Sequence, residues 1–311
     1  MKKYIILVFV FSVVANNLLA QCCSAGNPFF YGEISSLSKN NLQFVMGYKY
    51  STSHEYYEGN KSINIDFIDK AYFNYITLQS IYGVTQRLTI QADLGYFINK
   101  TETYLKEDWS PSKGYGLGDA TIYLKYLAYN NFKKQLKIIP SIGITIPIGV
   151  FDQEVDHVKL PITVQPSSGS FKYQASLYIN KGTSNGRFNF ALFGMFEYAQ
   201  LIDSKNFYYK YGNQVLFSFL TSCKLGNSLS VAIELRNENR GKSLRNNDQI
   251  VESSGFNIVY AIPHISYSFS KNWYLAINTD LPVYKYYNGI QMSNTYSVSM
   301  RLSYKINLSK K

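Results

Sequence analysis

The chain has 311 residues and a formal net charge of +11, with 29 Tyr and 20 Phe bringing aromatics to 16% while charged residues are also only 16%, against the ~25% charged residues usual in soluble domains. Something other than water must therefore cover part of its surface, and the basic residues are too scattered to form the concentrated footprint that nucleic acid requires. Three cysteines, Cys22, Cys23 and Cys223, give no disulfide framework, because the Cα atoms of neighbours such as Cys22 and Cys23 stand about 3.8 Å apart, too close for an ordinary bridge.

Reading from the start, Lys2 and Lys3 precede an apolar stretch from Tyr4 to Val14 and then Leu18-Leu19-Ala20. This order of features predicts a secretory signal peptide over residues 1–20, cleaved after Ala20, and removing it lowers the charge from +11 to +9. The apolar stretch is about half the ~20 residues that a spanning helix needs, and no later run is comparable. Residues 21–40 are expected as a periplasmic N-terminal segment. Cys22 is a weak lipidation site because Gln21 stands where such signals want a small residue. Cys22 and Cys23 as a soft-metal pair would need further Cys or His nearby. The plainer expectation is a disordered N-terminus. The remaining chain, 41–311, is expected to form one unit, since no linker, low-complexity tract or fixed repeat interrupts it.

From residue 42 onward the pattern is alternation. It runs through Leu42–Tyr50, Tyr72–Tyr82, Leu88–Tyr96, Gly118–Ala128, Ile138–Ile148 and Phe171–Ile179. It resumes in Phe188–Tyr198, Val215–Leu225, Leu229–Leu235, Ile265–Phe269 and Trp273–Ile277. It ends with Tyr296 to Leu308, where Val298, Met300, Leu302, Tyr304 and Ile306 alternate with Ser299, Arg301, Ser303 and Lys305. A sustained period of two excludes a helix. Tyr296 and Tyr304 stand about 26 Å apart along a strand, roughly 20 Å of depth at a tilt near 40°, which suits the two aromatic girdles of a membrane barrel.

About twelve segments are counted, an even number, as single-chain bacterial barrels require. Short turns are expected at 83–86, 130–135, 181–186, 226–227 and 270–272. Long connections are expected between them at 51–70, 100–115, 150–169, 200–211, 239–253 and 284–294. Short periplasmic turns alternating with long outer loops is the signature of an outer-membrane barrel and puts both ends of the sheet in the periplasm. The fold class expected is all-β, a closed antiparallel transmembrane barrel of about twelve strands following a signal peptide. It belongs in the outer membrane of a Gram-negative-type bacterium, with outer-membrane lipids around it. Pro140, Pro147 and Pro263 each remove a ladder donor, so bulges or strand ends are expected there.

Four stretches, Tyr82-Gly83-Val84-Thr85-Gln86-Arg87-Leu88, Gly116-Leu117-Gly118-Asp119 leading into Tyr123-Leu124-Lys125-Tyr126, Ile144-Thr145-Ile146-Pro147-Ile148-Gly149 and Gln165-Pro166-Ser167-Ser168-Gly169-Ser170, carry a family likeness. In their order and spacing, covering roughly residues 82–308, the chain resembles the MetA-pathway of phenol degradation family of outer-membrane, transporter-like barrels. The resemblance implies passage or binding of small hydrophobic compounds rather than catalysis, and no cofactor is expected. Twelve strands suit this, since eight-stranded barrels are filled by side chains and sixteen-stranded ones hold a water channel.

With apolar faces toward lipid, the opposite parity gives lumen-lining candidates: Arg87, Asp93, Lys125, Glu197, Glu234, Arg236, Arg301 and Lys305 among the charged residues, and Tyr123, Phe193 and Met195 among the others. Lys49, Gln91, Asp119, Lys172, Gln174, Phe73 and Tyr75 share that parity. The charges read either as a pore lining that tunes which solutes pass or as ion pairs that satisfy one another. The aromatics read either as a greasy path or as packing for an inward-folded loop. Asp119, after Gly116 and Gly118, reads as a turn residue. No catalytic residue is assigned. His54 with Glu55 and Glu58, and His157 with Asp152, Glu154 and Asp156, lack metal-ligand spacing. His264 and Ser266 share a strand face without the Asn-Gly that follows the His-x-Ser pair in outer-membrane phospholipases. A plugged barrel acting through its outer loops, or more remotely a lipid hydrolase, is the alternative function.

Overall fold

Strands that are apolar on one face and polar on the other can satisfy every backbone group in lipid only by closing on themselves. The computed structural model describes residues 35–309 apart from 107, 156, 205, 206 and 247, and shows that closure. The expected signal peptide, Cys22, Cys23 and Asp156 lie outside the described residues. Ten strands follow one another as β1 (Asn41–Gly59), β2 (Ile68–Gly83), β3 (Leu88–Tyr104), β4 (Ala120–Tyr126), β5 (Leu136–Ile146), β6 (Lys172–Gly182), β7 (Phe188–Ala199), β8 (Gln214–Leu225), β9 (Leu229–Arg240) and β10 (Phe256–Ser268).

The last element, Trp273–Asn307, is one run of 35 residues, which at ~3.3 Å each would stretch roughly 115 Å. It cannot be one stave. Its first part pairs with β10 as far as Tyr287 and its second pairs with β1 down to Asn307. The run turns back at Asn288-Gly289, where Gly289 has φ +60°, and at the far end Lys305 N donates to the Asn272 carbonyl at 2.9 Å. The two limbs, 273–287 and 290–307, are β11 and β12. All neighbours are antiparallel, β5 pairs with β6 from Leu136↔Lys181 to Thr145↔Lys172, and β12 pairs with β1, so the ring closes.

Side-chain alternation partitions as the period of two requires. Met46, Leu78, Ile142, Phe217 and Met300 are exposed on the outer wall, whereas Gln79, Gln91, Gln174 and Glu234 are buried inside. Two aromatic belts border the apolar band: Tyr126, Phe188, Tyr267 and Trp273 near the short-turn end, and Tyr96, Tyr173, Tyr198 and Tyr296 near the long-loop end. Trp273 and Tyr304 stack across neighbouring limbs at 4.4 Å. That belt geometry is the outer surface of a membrane-spanning barrel.

Several boundaries differ from the sequence expectation. Residues 51–59 and 284–294, expected in long loops, are almost entirely strand. Their polar side chains satisfy one another inside the wall: Ser51 Oγ lies 2.7 Å from Ser297 Oγ, and Asn294 Nδ2 donates to Ser51 Oγ at 2.9 Å. Tyr56, Ile68, Ala71 and Met292 then form a small core above the membrane band. β10 also begins at Phe256 rather than Ile265. Pro263 lies well inside it, opposite Ile233 of β9, where the β10–β11 pairing lapses between Ala261↔Leu281 and His264↔Asn278. Pro140 falls in the gap between Tyr129↔Ile138 and Lys125↔Ser141, and Pro147 follows the end of β5.

The described end of the N-terminal segment is not free of the barrel. Leu37 is buried against Val45 and Ile81, its N–H donates to Thr89 Oγ1 at 3.0 Å, and Thr89 Oγ1 donates back to its carbonyl at 3.3 Å. A Cβ on Gly83 would stand 2.1 Å from the Ser38 carbonyl oxygen, so that glycine is required by this crossing as well as by its turn.

At the other end the outer loops converge. Ile202–Ser204 and Phe207–Lys210 of loop 200–213 join Ser243–Arg245 and Gln249–Val251 of loop 241–255 in one four-stranded sheet. Phe151 and Ile162 of loop 147–171 pack against its core of Ile202, Tyr209 and Val251.

Candidate functional site: the barrel lumen

The lumen has two unlike sides. On the β2–β4 side the inward positions are aromatic and filled. Phe73, Tyr75 and Phe97 form one cluster, Tyr75 and Phe97 having ring centroids 4.4 Å apart. Tyr75 lies across Gly95 of the next strand so closely that a Cβ there would stand 1.7 Å from its hydroxyl oxygen. Tyr123 lies in the same way over Gly143, its Cδ1 at 2.6 Å from the position a Cβ would take. Polar groups line the wall below: Gln79 and Gln91 donate to Asp93 at 3.1 and 2.7 Å, and Gln174 donates to Glu197 at 2.7 Å.

Loop 147–171 seals the top of this side. Lys100 Nζ, over the ring of Phe97, donates to the Gln165 carbonyl at 3.1 Å, and Thr163 Oγ1 donates to Glu102 at 2.7 Å. Asp119 accepts from Ser167 Oγ at 2.5 Å, from Ser168 Oγ at 2.5 Å and from Ser168 N at 3.1 Å. Two stretches read separately in the sequence, Gly116-Leu117-Gly118-Asp119 and Gln165-Pro166-Ser167-Ser168-Gly169-Ser170, are thus one latch. Phe73 and Tyr75 pack with each other and with Phe97, and Asp119 anchors the loop through Ser167 and Ser168 rather than standing as an isolated turn residue.

On the β7–β12 side the inward positions carry charge and leave space. Asp280 on β11 binds Lys49 Nζ at 3.1 Å and Arg236 Nη2 at 3.0 Å. Arg236 Nε lies 2.9 Å from Glu238, while Glu234 sits 3.1 Å from His264 Nε2 and accepts from Ser218 Oγ at 2.8 Å. Such clustering is what low-dielectric burial demands, because an unpaired charge there is costly. Beside it opens a cavity of about 300 Å³ lined by the charged or titratable Glu234, Arg236, Asp280, His264 and Arg301 and by the apolar or aromatic Phe193, Tyr178, Leu220, Ala232 and Ala276. Phe193 packs with Met195 and Leu216 in one buried cluster.

The structure therefore brings Glu234, Arg236, Phe193 and Arg301 together at one chamber, places Asp93, Tyr123 and Lys125 on the packed side, and leaves Glu197 outside the chamber, on β7 and bound to Gln174 of β6. Two predicted lining residues stand elsewhere. Arg87 is exposed in the turn before β3, its carbonyl accepting from Leu127 N at 2.7 Å, and Lys305 is exposed near the end of β12. Parity alone gave their direction without their depth.

Asp280, Glu238 and Asn278 were missed. Ala276, Asn278 and Asp280 alternate with Ile277 and Leu281, so extending the parity of 273–277 by three residues would have found Asp280. His264 and Ser266 do not pair with each other: the imidazole is engaged by Glu234, and Ser266 Oγ donates to the Ser230 carbonyl at 3.4 Å. Among the described residues no three His, Cys, Asp or Glu side chains form a metal-holding group, and His54 and His157 are exposed at separate outer elements.

No protein-family model matches the chain, and no curated protein does. Among solved structures, it is similar to the COG4313 outer membrane channel from Pseudomonas putida F1, with a TM-score of 0.73 and 16% identity over 89% of this chain and 100% of that one. It also matches KdgM porin, with a TM-score of 0.45 and 8% identity over 84% of this chain and 98% of that one. A third match is the CymD monoaromatic hydrocarbon channel, with a TM-score of 0.43 and 10% identity over 91% of this chain and 94% of that one. The first likeness establishes the fold: that of an outer-membrane β-barrel.

Proposed function

We propose that this chain is an outer-membrane channel for small, largely apolar compounds, in the manner of the transporter-like barrels of the MetA-pathway of phenol degradation family. The observation that carries the reading is the chamber inside the barrel. Its volume lies at the lower end of small-molecule sites, and its lining mixes charged groups with apolar ones. A lumen built only to hold the barrel together has no need to keep that space open, because packing it would add stability. The fold shared with a protein described as an outer membrane channel supports the same reading.

A convergent outer-loop sheet favours a second reading, a barrel closed at its outer end that acts through its loops. Planar-bilayer recording of the full-length protein separates the two. Sustained currents, reduced on adding benzyl alcohol as a small aromatic probe, are expected of the channel. A protein correctly inserted yet silent under all voltages, with no uptake of solute into vesicles, would leave only the closed barrel standing.

A further inference from the structure

Among the described residues, the chamber wall holds one guanidinium, that of Arg301, that makes no ion pair. Asp280 is shared by Lys49 and Arg236, Glu238 is taken by Arg236, and Glu234 by His264 and Ser218. Arg301, on the lumen face of β12, has no carboxylate within ion-pair distance among the described residues. Its cross-strand partner on β1 is Gly47, which offers no side chain, and its neighbours on the same face are Ser299 and Ser303. It nonetheless lines the cavity, as do the apolar groups Phe193, Leu220 and Ala276. A guanidinium presents a rigid fork of donors matched to a two-oxygen anion, and among the described residues the carboxylates that share the cavity, Glu234 and Asp280, pair with other groups instead.

We propose that the chamber is a binding site for small amphipathic oxyanions, an aromatic or short aliphatic carboxylate or sulfonate, with the anionic head at Arg301 and the apolar body against the Phe193 wall. This rests on the channel reading and narrows it, because a purely neutral hydrocarbon would leave the guanidinium unanswered. The neighbouring ion-pair cluster fits the same role. Its carboxylates each have a partner, Asp280 with Lys49 and Arg236, Glu238 with Arg236, and Glu234 with His264 and Ser218, and none of them lies within ion-pair distance of Arg301.

The test uses full-length protein in detergent, with benzoate and benzenesulfonate as anionic probes and benzyl alcohol as a neutral probe of the same ring size, binding being followed by calorimetry. Both anions are expected to bind more tightly than benzyl alcohol. Arg301→Gln should weaken the anions by about tenfold or more, the loss expected when a charge-assisted pair is removed, and leave benzyl alcohol unchanged. Arg301→Lys, which keeps the charge without the fork, should fall between, and the heat-dependent gel shift of each variant reports whether the barrel has formed. Equal affinity of benzoate for the wild type and Arg301→Gln, or binding of benzyl alcohol as tight as that of both anions, would overturn the proposal. Bilayer recordings on the same preparations judge the channel reading separately: a silent protein that still binds benzoate through Arg301 removes transport and keeps the site.

Discussion

The two sides of the lumen are built from the same alternating strands and do opposite things with them. On the β2–β4 side, glycines at 95 and 143 receive the rings of Tyr75 and Tyr123, and loop 147–171 closes the top through Asp119. On the β7–β12 side, serines and alanines of the wall leave a cavity, and long charged side chains meet beside it. Size at the inward position makes the difference. Where a large ring meets a glycine the space is consumed, and where small residues face each other it stays open. One half is therefore mechanical and the other chemical.

The largest effect should come from the chemical half. Asp280→Ala leaves Lys49 and Arg236 crowded together without their shared counter-ion, and breaking a buried pair in this way destabilises by about 3–5 kcal/mol. Urea unfolding from lipid vesicles should register it, and an unchanged midpoint would mean that water in the chamber screens these charges and that the two halves differ less than their packing suggests.

In the mechanical half, Gly95→Val sets a branched side chain where the Tyr75 ring lies, an overpacking expected to cost about 1–3 kcal/mol. Truncating the ring as well, in a Gly95→Val/Tyr75→Ala double variant, should recover part of that loss because the two positions share one space. Strict additivity of the two changes would contradict the interlocked geometry.

Smaller in its effect on the wall is Asp119→Ala, which removes three hydrogen bonds from loop donors and so falls on local opening of the loop rather than on unfolding of the strands. Because they bind a loop to the wall, the expected result is faster proteolysis within 147–171 and larger single-channel currents, with the strands' unfolding midpoint little changed. A loop as protease-resistant as the wild type would show that the latch is not what holds it.

The smallest effect serves as the contrast to Asp280. Glu55 lies 3.6 Å from Lys285 but is 46% exposed, so Glu55→Gln should shift stability by no more than about 1 kcal/mol. A loss matching that of Asp280→Ala would mean that burial does not govern these pairs.

Much of this architecture was readable beforehand. Seven alternating pairs between Tyr296 and Ser309 announced β12 with its inward Arg301, and the same parity gave Glu234 and Arg236. What escaped was polar strand. The stretch 51–59 and residues 284–294 read as loop because Ser, Asn, Tyr and Gly resemble turn residues, yet their side chains pair across β1 and β12. Asp280 escaped for a related reason, since Pro282 and the polar residues around it blurred the end of the alternating run.

By itself, then, the sequence determined the closed barrel and which face of each strand looks inward. A period of two, repeated over segments long enough to cross a bilayer, allows no other arrangement that satisfies the backbone in lipid. Only the tertiary structure decided depth and partnership. It placed Arg87 and Lys305 at the rim, gathered Lys49, Arg236 and Asp280 from three strands far apart in sequence, and gave Arg301 no ion-pair partner among the described residues. Those outcomes depend on stagger between strands and on the size of the residue across the ladder, quantities that no single strand carries.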